Sequence, residues 1–485
     1  MIPVKLSTGR RAGLRIGVVL TPLLIAALTA CGGGGGGGGG SSSGGGGTGS
    51  SSSSSSSLGT AYVGGSEILV NSSTDNDQNA VTIATLDNGN VVAGWVSGLG
   101  NFGGTTLAEI RAQIITPDGV KSGGEIVAST GTMQSSSSHR HIQPTVSGLN
   151  GGGFGLVYVS NGHLTTTPAN ATTPGPLFAR EFSSSGTPLS DAVAPPLTYG
   201  VQNGVSLGNN GNQSQPKLIR LTDGRLLATW TEYNVQTMVG GDGDSLSVKA
   251  QLYSADADEL TPAFVVNTST TGQQSQTHAA PLSNGGFVVT WLDYNGSVGS
   301  TPVNKLKAQI FNASGQKVGT EFVVKDSPGF LQSPGSVTGL ANGSFVIVWS
   351  EGNTGSTQDE AYGQVFDATG NRVGTPLTLA TNTAGRQVAP YVTTLPNGHF
   401  VAAWGDNSAT LGDTDGWAIK AQAFTANGTK FGNELLVNVY VTGNQTAMVL
   451  APLKTNGFVA SWIDTSGTLG DSSGTAIKAR VFKMN

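Results

Sequence analysis

The chain has 485 residues, of which 74 are glycine, and only 11% of its residues are charged. So few Glu, Lys and Arg residues exclude a coiled coil or a charge-rich helical array, and a hydrophobic fraction of 37% argues against a wholly disordered chain. Four of the 24 basic residues precede Cys31, which leaves 20 basic against 29 acidic groups and excludes a nucleic-acid partner, since binding phosphates requires a basic surface.

The first 30 residues have the pattern of a bacterial export signal. A basic segment ends at Arg15, and the apolar run that follows, residues 16–30, is shorter than the ~20 residues of a membrane span. Residues 28–31, Leu-Thr-Ala-Cys, resemble the lipobox of bacterial lipoproteins. The resemblance implies a signal peptide over 1–30, lipidation of Cys31 and, because Gly32 follows, anchoring in the bacterial outer membrane on its periplasmic side or at the cell surface. An ordinary signal peptide in which Cys31 is incidental is the alternative.

A segment rich in Gly and Ser follows the signal. Residues 32–57 consist of these two residue types except for Thr48. Such a segment has no apolar side chains to bury and behaves as a flexible coil, with a root-mean-square span of about 25–30 Å. We therefore interpret residues 31–65 as a tether that holds a folded domain, residues 66–485, away from the membrane.

The rest of the chain repeats one unit seven times. Each unit contains an apolar strand that ends in an aromatic residue and is preceded by a tight-turn signal such as Asn284-Gly285. A strand with a pattern like Lys307-Ala-Gln-Ile follows, and a strand such as Glu434–Asn438 ends the unit. The seven aromatic-ended strands are Val91–Trp95, Phe154–Tyr158, Leu226–Trp230, Phe287–Trp291, Phe345–Trp349, Phe400–Trp404 and Phe458–Trp462.

These units predict an all-β fold, a seven-bladed β-propeller of four-stranded antiparallel blades. The seventh unit stops before its fourth strand, whereas Glu67–Asn71, at the start of the domain, matches the fourth-strand segment Glu434–Asn438. We therefore predict that the N-terminal strand completes the last blade, which closes the ring and removes an exposed strand edge. A linear β-solenoid or a set of separate sandwiches is the alternative.

The repeats resemble those of bacterial extracellular surface proteins, which often occur beside hemolysin-type calcium-binding repeats. The shared pattern is V-N-x-T, then Q-x-x-P-x-V, G-G-F-V-V-x-W and A-Q-x-F, and it covers essentially all of 66–485. The resemblance implies a propeller architecture outside the cytoplasm and no enzymatic residues. The calcium-binding nonapeptide, G-G-x-G-x-D, does not occur in this chain.

Acidic residues are concentrated in the long loops between the second and third strands. A propeller places these loops on one face, which is the usual layout of a binding surface. Asp293, Asp406 and Asp464 each precede a lysine by 14 residues, which predicts ion pairs across the loop; Glu232 and Glu351 occupy the same position after Trp. Later acids in the loops are candidate Ca²⁺ ligands, because Ca²⁺ binds 6–8 oxygens. They are Asp242, Asp244, Asp413, Asp415 and Asp471.

Aromatic residues in the same loops are candidates for ligand binding. Trp417 is the only Trp outside the repeated strands and could stack on a sugar ring, with packing between blades as the alternative; Tyr233 and Tyr294 are further candidates. His139 and His141 could place two imidazoles on one strand face as metal ligands, but no third ligand can be identified, and a solvated loop is the favoured interpretation.

The sequence favours a membrane-tethered extracytoplasmic binding module that recognises a glycan or a protein with its loop face. A periplasm-facing assembly scaffold and a propeller enzyme acting on an extracellular carbohydrate are the alternatives. Because the chain contains no Asp-box, P-loop or nucleophile elbow, no catalytic residue is assigned and no cofactor other than Ca²⁺ is considered.

The lipobox resemblance makes a direct prediction about the anchor. We expect Cys31→Ser to release the protein from the membrane fraction, because acyl chains would provide its membrane affinity. Fractionation of cells expressing each form measures this, and retention of the variant in the membrane fraction would contradict lipidation at Cys31.

Overall fold

The structure, a computed structural model, describes residues 62–98, 108–129, 140–161, 177–189, 213–233, 246–255, 258–294, 297–298, 301–302, 304–327, 330–331, 333, 335–352 and 358–484. Cys31, Asp242, Asp244 and His139 lie outside these residues, and only the backbone is described for Tyr233 and His141. No helix within the described ranges is long and apolar enough to cross a membrane.

The predicted seven-bladed β-propeller is confirmed. Each blade is an antiparallel sheet whose strands follow one another from the central axis outward, so we call them a, b, c and d. Blade 1 contains Gln78–Thr85, Val91–Ser97, Glu109–Ile115 and Lys121–Val127. Blade 2 contains Arg140–Gly148, Phe154–Asn161 and Leu177–Phe182 among the described residues, with a 3-10 turn at Asn150–Gly152. Blade 3 contains Gln213–Arg220, Leu226–Tyr233, Leu246–Tyr253 and Phe264–Val265.

The second half of the ring repeats this order. Blade 4 contains Gln274–Pro281, Phe287–Asp293, Asn304–Phe311 and Lys317–Ser327, with a small hairpin of Ser297–Val298 and Thr301–Pro302 beside it. In blade 5, Phe330–Leu331 and Ser336–Gly339 both pair with Phe345–Gly352, and Asp359–Phe366 and Arg372–Thr378 follow. Blade 6 contains Gln387–Thr394, Phe400–Asp406, Ala418–Phe424 and Lys430–Leu436. Blade 7 contains Gln445–Pro452, Gly457–Asp464, Ala476–Met484 and the N-terminal strand Tyr62–Leu69.

The b strands are apolar on both faces because each blade has a neighbour on both sides. Every residue of Phe287–Asp293, Phe400–Asp406 and Gly457–Asp464 is buried. The buried side chains of the described residues form seven separate hydrophobic clusters, one in each of the seven interfaces between blades. The propeller therefore has no single core, and its stability depends on completing all seven interfaces.

The N-terminal strand closes the ring, as predicted. Tyr62 lies opposite Met484, and Leu69 lies opposite Lys478, so this strand is the outermost strand of blade 7. It begins at Tyr62, earlier than the domain boundary expected at residue 66. The seventh interface, between blades 7 and 1, buries Trp95 against Val459 and Ile477 in the same way as the other six interfaces.

A repeated polar contact also fastens neighbouring blades. The glutamate of a d strand accepts hydrogen bonds from backbone N–H groups that follow the d strand of the preceding blade. Glu321 accepts from Thr268 at 2.5 Å, Glu434 from Thr381 at 2.5 Å, and Glu67 of the N-terminal strand from Val439 at 2.6 Å. Because Glu67 makes the contact that the other glutamates make, chain closure reproduces an ordinary interface.

Ring closure predicts the effect of removing the N-terminal strand. Deletion of residues 62–71 should expose the edge of Ala476–Met484 and take away Glu67, which lies 3.1 Å from buried Lys478. Breaking a buried ion pair costs about 3–5 kcal/mol, so urea unfolding should show a loss of stability at least this large, together with aggregation.

The matched control is deletion of residues 42–51 from the Gly/Ser-rich segment, which has the same length and should leave the unfolding free energy unchanged. Equal stability of the two deletions would contradict closure by the N-terminal strand.

Candidate functional site

The acids that follow the Trp residues pair with lysines on strand c, as the 14-residue spacing predicted. Asp293 lies 2.6 Å from Lys307, Asp406 lies 2.7 Å from Lys420, and Asp464 lies 2.9 Å from Lys478. Glu232 is 3.9 Å from Lys249, and Glu351 pairs at 3.0 Å with Lys325, because Tyr362 occupies the strand-c lysine position in blade 5. These acids are therefore structural ion-pair partners that organise the bases of the loops.

In blades 6 and 7 the loop folds around the lysine ammonium group. Lys420 is fully buried and donates hydrogen bonds to Asp406, to the Ser408 hydroxyl at 2.7 Å and to the Thr410 hydroxyl. Lys478 does the same in blade 7, donating to Ser466 at 2.7 Å and to Thr468 at 2.5 Å. The two loops share the sequence Thr-Leu-Gly-Asp, and each exposes its leucine at a positive φ, 60° for Leu411 and 63° for Leu469. In each of the two loops, the buried ammonium group thus holds the backbone in the same conformation.

The later acids of these loops hydrogen-bond to the adjoining backbone and to an asparagine at the end of strand d. Asp413 accepts from Asn438 at 2.8 Å and from the N–H of Asp415 at 3.2 Å. Asp415 accepts from the N–H of Gly443 at 3.0 Å, and Asp471 accepts from Asn71 at 2.7 Å. Burial raises the pKa of Asp413 above its ordinary value.

The predicted calcium ligands are spread over separate loops. Asp413 and Asp415 are in blade 6 and Asp471 is in blade 7, while Asp242 and Asp244 lie outside the described residues. Among the side chains that the structure describes, no group of three or more His, Cys, Asp or Glu residues is placed to hold a metal ion. Calcium binding by these acids stays a prediction.

Trp417 lies at the end of the blade 6 loop and is half-buried. Its backbone N–H donates to Asn444 at 3.1 Å, and the Arg386 guanidinium lies 5.8 Å from the centre of its ring. Arg386 also bonds to buried Asp359 of blade 5. The guanidinium lies over the indole ring, and sugar stacking on Trp417 stays a prediction.

Tyr294 connects the loop-face end of strand b in blade 4 to strand a, the strand nearest the central channel. It directly follows the buried Asp293 at the end of strand b, and its hydroxyl accepts a hydrogen bond of 3.0 Å from Gln276 on strand a of the same blade. Burial raises the pKa of Tyr294, so its hydroxyl keeps its proton. Tyr233 occupies the equivalent chain position in blade 3, but its side chain lies outside the description.

Sequence analysis did not identify a row of glutamines on the a strands of blades 2, 3 and 4. The N–H of Gln215 donates to the Oε1 atom of Gln143 at 2.9 Å, and the N–H of Gln276 donates to the Oε1 atom of Gln215 at 2.9 Å. Because strand a begins at the loop face and lies nearest the axis, this amide row lines the mouth of the channel. The Q-x-x-P pattern gave no sign of the row, because its glutamine lies two residues earlier, as in Gln213-Ser-Gln-Pro216.

The glutamines of the amide row occupy a bulge that recurs around the ring. Each has a positive φ, 53° for Gln143, 55° for Gln215 and 60° for Gln276. Three other blades hold an alanine in this conformation at the equivalent bulge, namely Ala80, Ala389 and Ala447. The strained backbone is therefore part of the architecture, whereas the glutamine side chains distinguish blades 2–4 from the rest.

No protein-family model matches this sequence, and no curated protein matches it. Among solved structures, the polysaccharide lyase Uly1 is similar, with a TM-score of 0.51 and 9% identity over 85% of this chain and 91% of that one. A protein of unknown function from Dyadobacter fermentans gives a TM-score of 0.49 at 10% identity, covering 87% of this chain and 99% of that one. The Hadza microbial sialidase Hz136 gives 0.46 at 11% identity, covering 84% and 66%. At this level of identity, the likeness to the lyase shows a shared fold and not a shared chemistry.

The buried ion pairs predict that removing a buried aspartate destabilises the protein much more than removing an aspartate from a surface ion pair. Asp406→Ala should lower the free energy of unfolding by about 3–5 kcal/mol, because it leaves the buried ammonium of Lys420 without its carboxylate. Urea denaturation measures this loss.

Asp118→Ala is the matched control, since Asp118 pairs with Lys483 at the surface, where both side chains are at least half exposed. An exposed pair contributes at most about 1 kcal/mol. Losses of the same size in both variants would show that the Asp406–Lys420 pair does not organise the loop.

Proposed function

We propose that this chain is a membrane-tethered extracytoplasmic binding module that recognises a glycan at the loop-face mouth of its central channel. The observation that carries the proposal is the amide row of Gln143, Gln215 and Gln276, together with the Tyr294 hydroxyl bound to Gln276. These polar groups converge at the axis of a rigid ring, which is a common position for a ligand site.

The amide row suits sugar hydroxyl groups, which both donate and accept hydrogen bonds. The Oε1 atoms of Gln143 and Gln215 accept from backbone N–H groups of the next blade, so the orientation of each amide is fixed. Within the described part of the chain, nothing accepts a hydrogen bond from the Nε2 group of Gln143 or Gln215. These two donors are therefore held in place and available to a ligand, which reduces the entropy cost of binding.

The position of the N-terminal strand supports display of this mouth away from a membrane. In the blades whose fourth strand is described, strand d ends at the loop face, where it leads into the next blade, and therefore starts at the opposite face. The N-terminal strand is strand d of blade 7 and begins at Tyr62, so the expected tether joins the ring at the face opposite the amide row. A lipid on Cys31 would leave the candidate site facing outward.

Glycan binding can be tested with variants that the fold already accommodates. Gln143→Ala and Gln215→Ala each introduce the residue found at the same bulge in blades 1, 6 and 7, so both should fold normally. If each amide donates to the glycan, each substitution should weaken binding up to about tenfold, since a hydrogen bond contributes about 0.5–1.5 kcal/mol. A glycan array identifies the ligand, and calorimetry then measures its dissociation constant for each variant.

The control for this experiment is Ala447→Ser, which changes the equivalent bulge in blade 7, outside the amide row. It should leave glycan affinity unchanged. The proposal would be contradicted if no glycan binds, or if the Gln143→Ala/Gln215→Ala double variant binds the glycan as tightly as the wild type. If the wild type but not the double variant captures a protein ligand, a protein-binding module is favoured instead.

A further inference from the structure

A belt of hydroxyl side chains links the a strands two residues deeper in the channel than the amide row. The Thr82 hydroxyl accepts a hydrogen bond from the N–H of Val146 at 3.4 Å, and the Thr145 hydroxyl accepts one from Leu218 at 3.2 Å. In blade 5, the Ser336 hydroxyl accepts from the N–H of Val392 at 3.3 Å. At this belt position, a short hydroxyl side chain thus connects one blade to the next.

Three blades replace this hydroxyl with a longer, ionisable side chain. The strand pairing places Lys217 in blade 3, His278 in blade 4 and Tyr391 in blade 6 at the belt position, and Val449 occupies it in blade 7. The rings of His278 and Tyr391 meet edge to face, with centroids 6.1 Å apart. In blades 3, 4 and 6 the belt therefore carries these side chains around the axis in place of the short hydroxyl.

Lys217 has no counter-ion among the residues that the structure describes. Neither its side chain nor that of His278 forms a hydrogen bond or an ion pair there, and none of the seven belt positions holds a carboxylate. This contrasts with the strand-c lysines: Lys307, Lys420 and Lys478 each lie within 3 Å of a carboxylate. Because an unpaired charge that is partly removed from water is costly, such a lysine is expected to have an anionic partner.

The surroundings of Lys217 and His278 show the same lack of anions. Burial lowers the pKa of Lys217, and no neighbouring carboxylate raises it again. Burial, and to a lesser extent the positive charge of Lys217, lowers the pKa of His278 well below its ordinary value, so the imidazole tends to be neutral. One ammonium beside a neutral imidazole matches a ligand group with a single negative charge better than one with two.

We propose that this level of the channel binds a monoanionic group of a sugar, a carboxylate or a sulfate ester, through the Lys217 ammonium, with the paired rings of His278 and Tyr391 forming part of the site. The inference rests on the proposed function, since the acidic sugar would belong to the glycan held by the amide row. The two levels are two residues apart along strand a, at most about 6–7 Å, so one oligosaccharide is expected to contact both. The ligand class is thus an acidic glycan.

The test compares an acidic oligosaccharide with its carboxyl-reduced, neutral counterpart. Lys217→Thr introduces the residue that blades 1 and 2 carry at the belt, so the variant should fold. The wild type should bind the acidic form about 10–100 times more tightly, as expected when one hydrogen bond involves charged groups, and Lys217→Thr should abolish this difference while keeping its affinity for the neutral form. Val449→Thr, at the belt position of blade 7, is the control and should behave as the wild type. Sulfated and carboxylated oligosaccharides of equal length distinguish the two monoanions.

The outcomes separate this inference from the proposed function. Equal affinity of the wild type for the acidic and neutral oligosaccharides would overturn the inference and leave glycan binding intact. If no oligosaccharide binds, the proposed function fails, and thermal stabilisation by sodium glucuronate against sodium chloride of equal ionic strength decides on the anion site. Stabilisation of the wild type but not of Lys217→Thr would support that site, and no difference between the two would overturn it.

Discussion

Every blade of this ring has a neighbour on both sides, and the rest of the structure depends on that constraint. Both faces of each sheet must be apolar, which explains the uninterrupted burial of strands such as Phe400–Asp406. A ring of this kind has no end blade that could expose one apolar face. The N-terminal strand satisfies the requirement by completing blade 7, and Glu67 then repeats the contact that Glu321 and Glu434 make elsewhere.

The buried lysines connect this architecture to the loop face. A buried ammonium is stable only when carboxylates and hydroxyls replace its water, and here the acceptors come from strand b and from the loop itself. In blade 7, Lys478 lies within reach of both Asp464 and Glu67, so one interaction orders the loop and also holds the closing strand. The loops of blades 6 and 7 are therefore structural parts of the ring, whereas blades 2–4 carry the amide row, and Lys217 and His278 lie beneath it in blades 3 and 4.

Much of this fold could be predicted from the sequence because it is repetitive. The aromatic-ended strands, the Asn-Gly turns and the match of Glu67–Asn71 to Glu434–Asn438 identified the blades and their closure. The spacing of Asp406 and Lys420 predicted their ion pair, because it places both residues close to the loop on adjacent antiparallel strands. The register pairs Lys420 with Trp404 and Asp406 with Ala418, so the acid and the lysine are diagonal neighbours.

The amide row and the hydroxyl belt could not be predicted in this way. In six of the seven blades, strand a contains a bulge at a residue such as Gln215, where the positive φ shifts the register and changes which side chains reach the axis. A prediction from the regular alternation of side chains along strand a would therefore place the wrong residues beside the channel axis. Lys217, His278 and Tyr391 come together only through the ring, since they belong to three different blades and no local pattern relates them.

The most direct test of the account is a crystal structure of the chain with an acidic oligosaccharide bound. The account predicts density for the sugar at the loop-face mouth, with hydroxyl groups on the Nε2 atoms of Gln143 and Gln215. It also predicts the anionic group within hydrogen-bonding distance of the Lys217 ammonium. A sugar bound at another face of the ring, or a channel containing only solvent beside Lys217 while sugar is bound elsewhere, would contradict it.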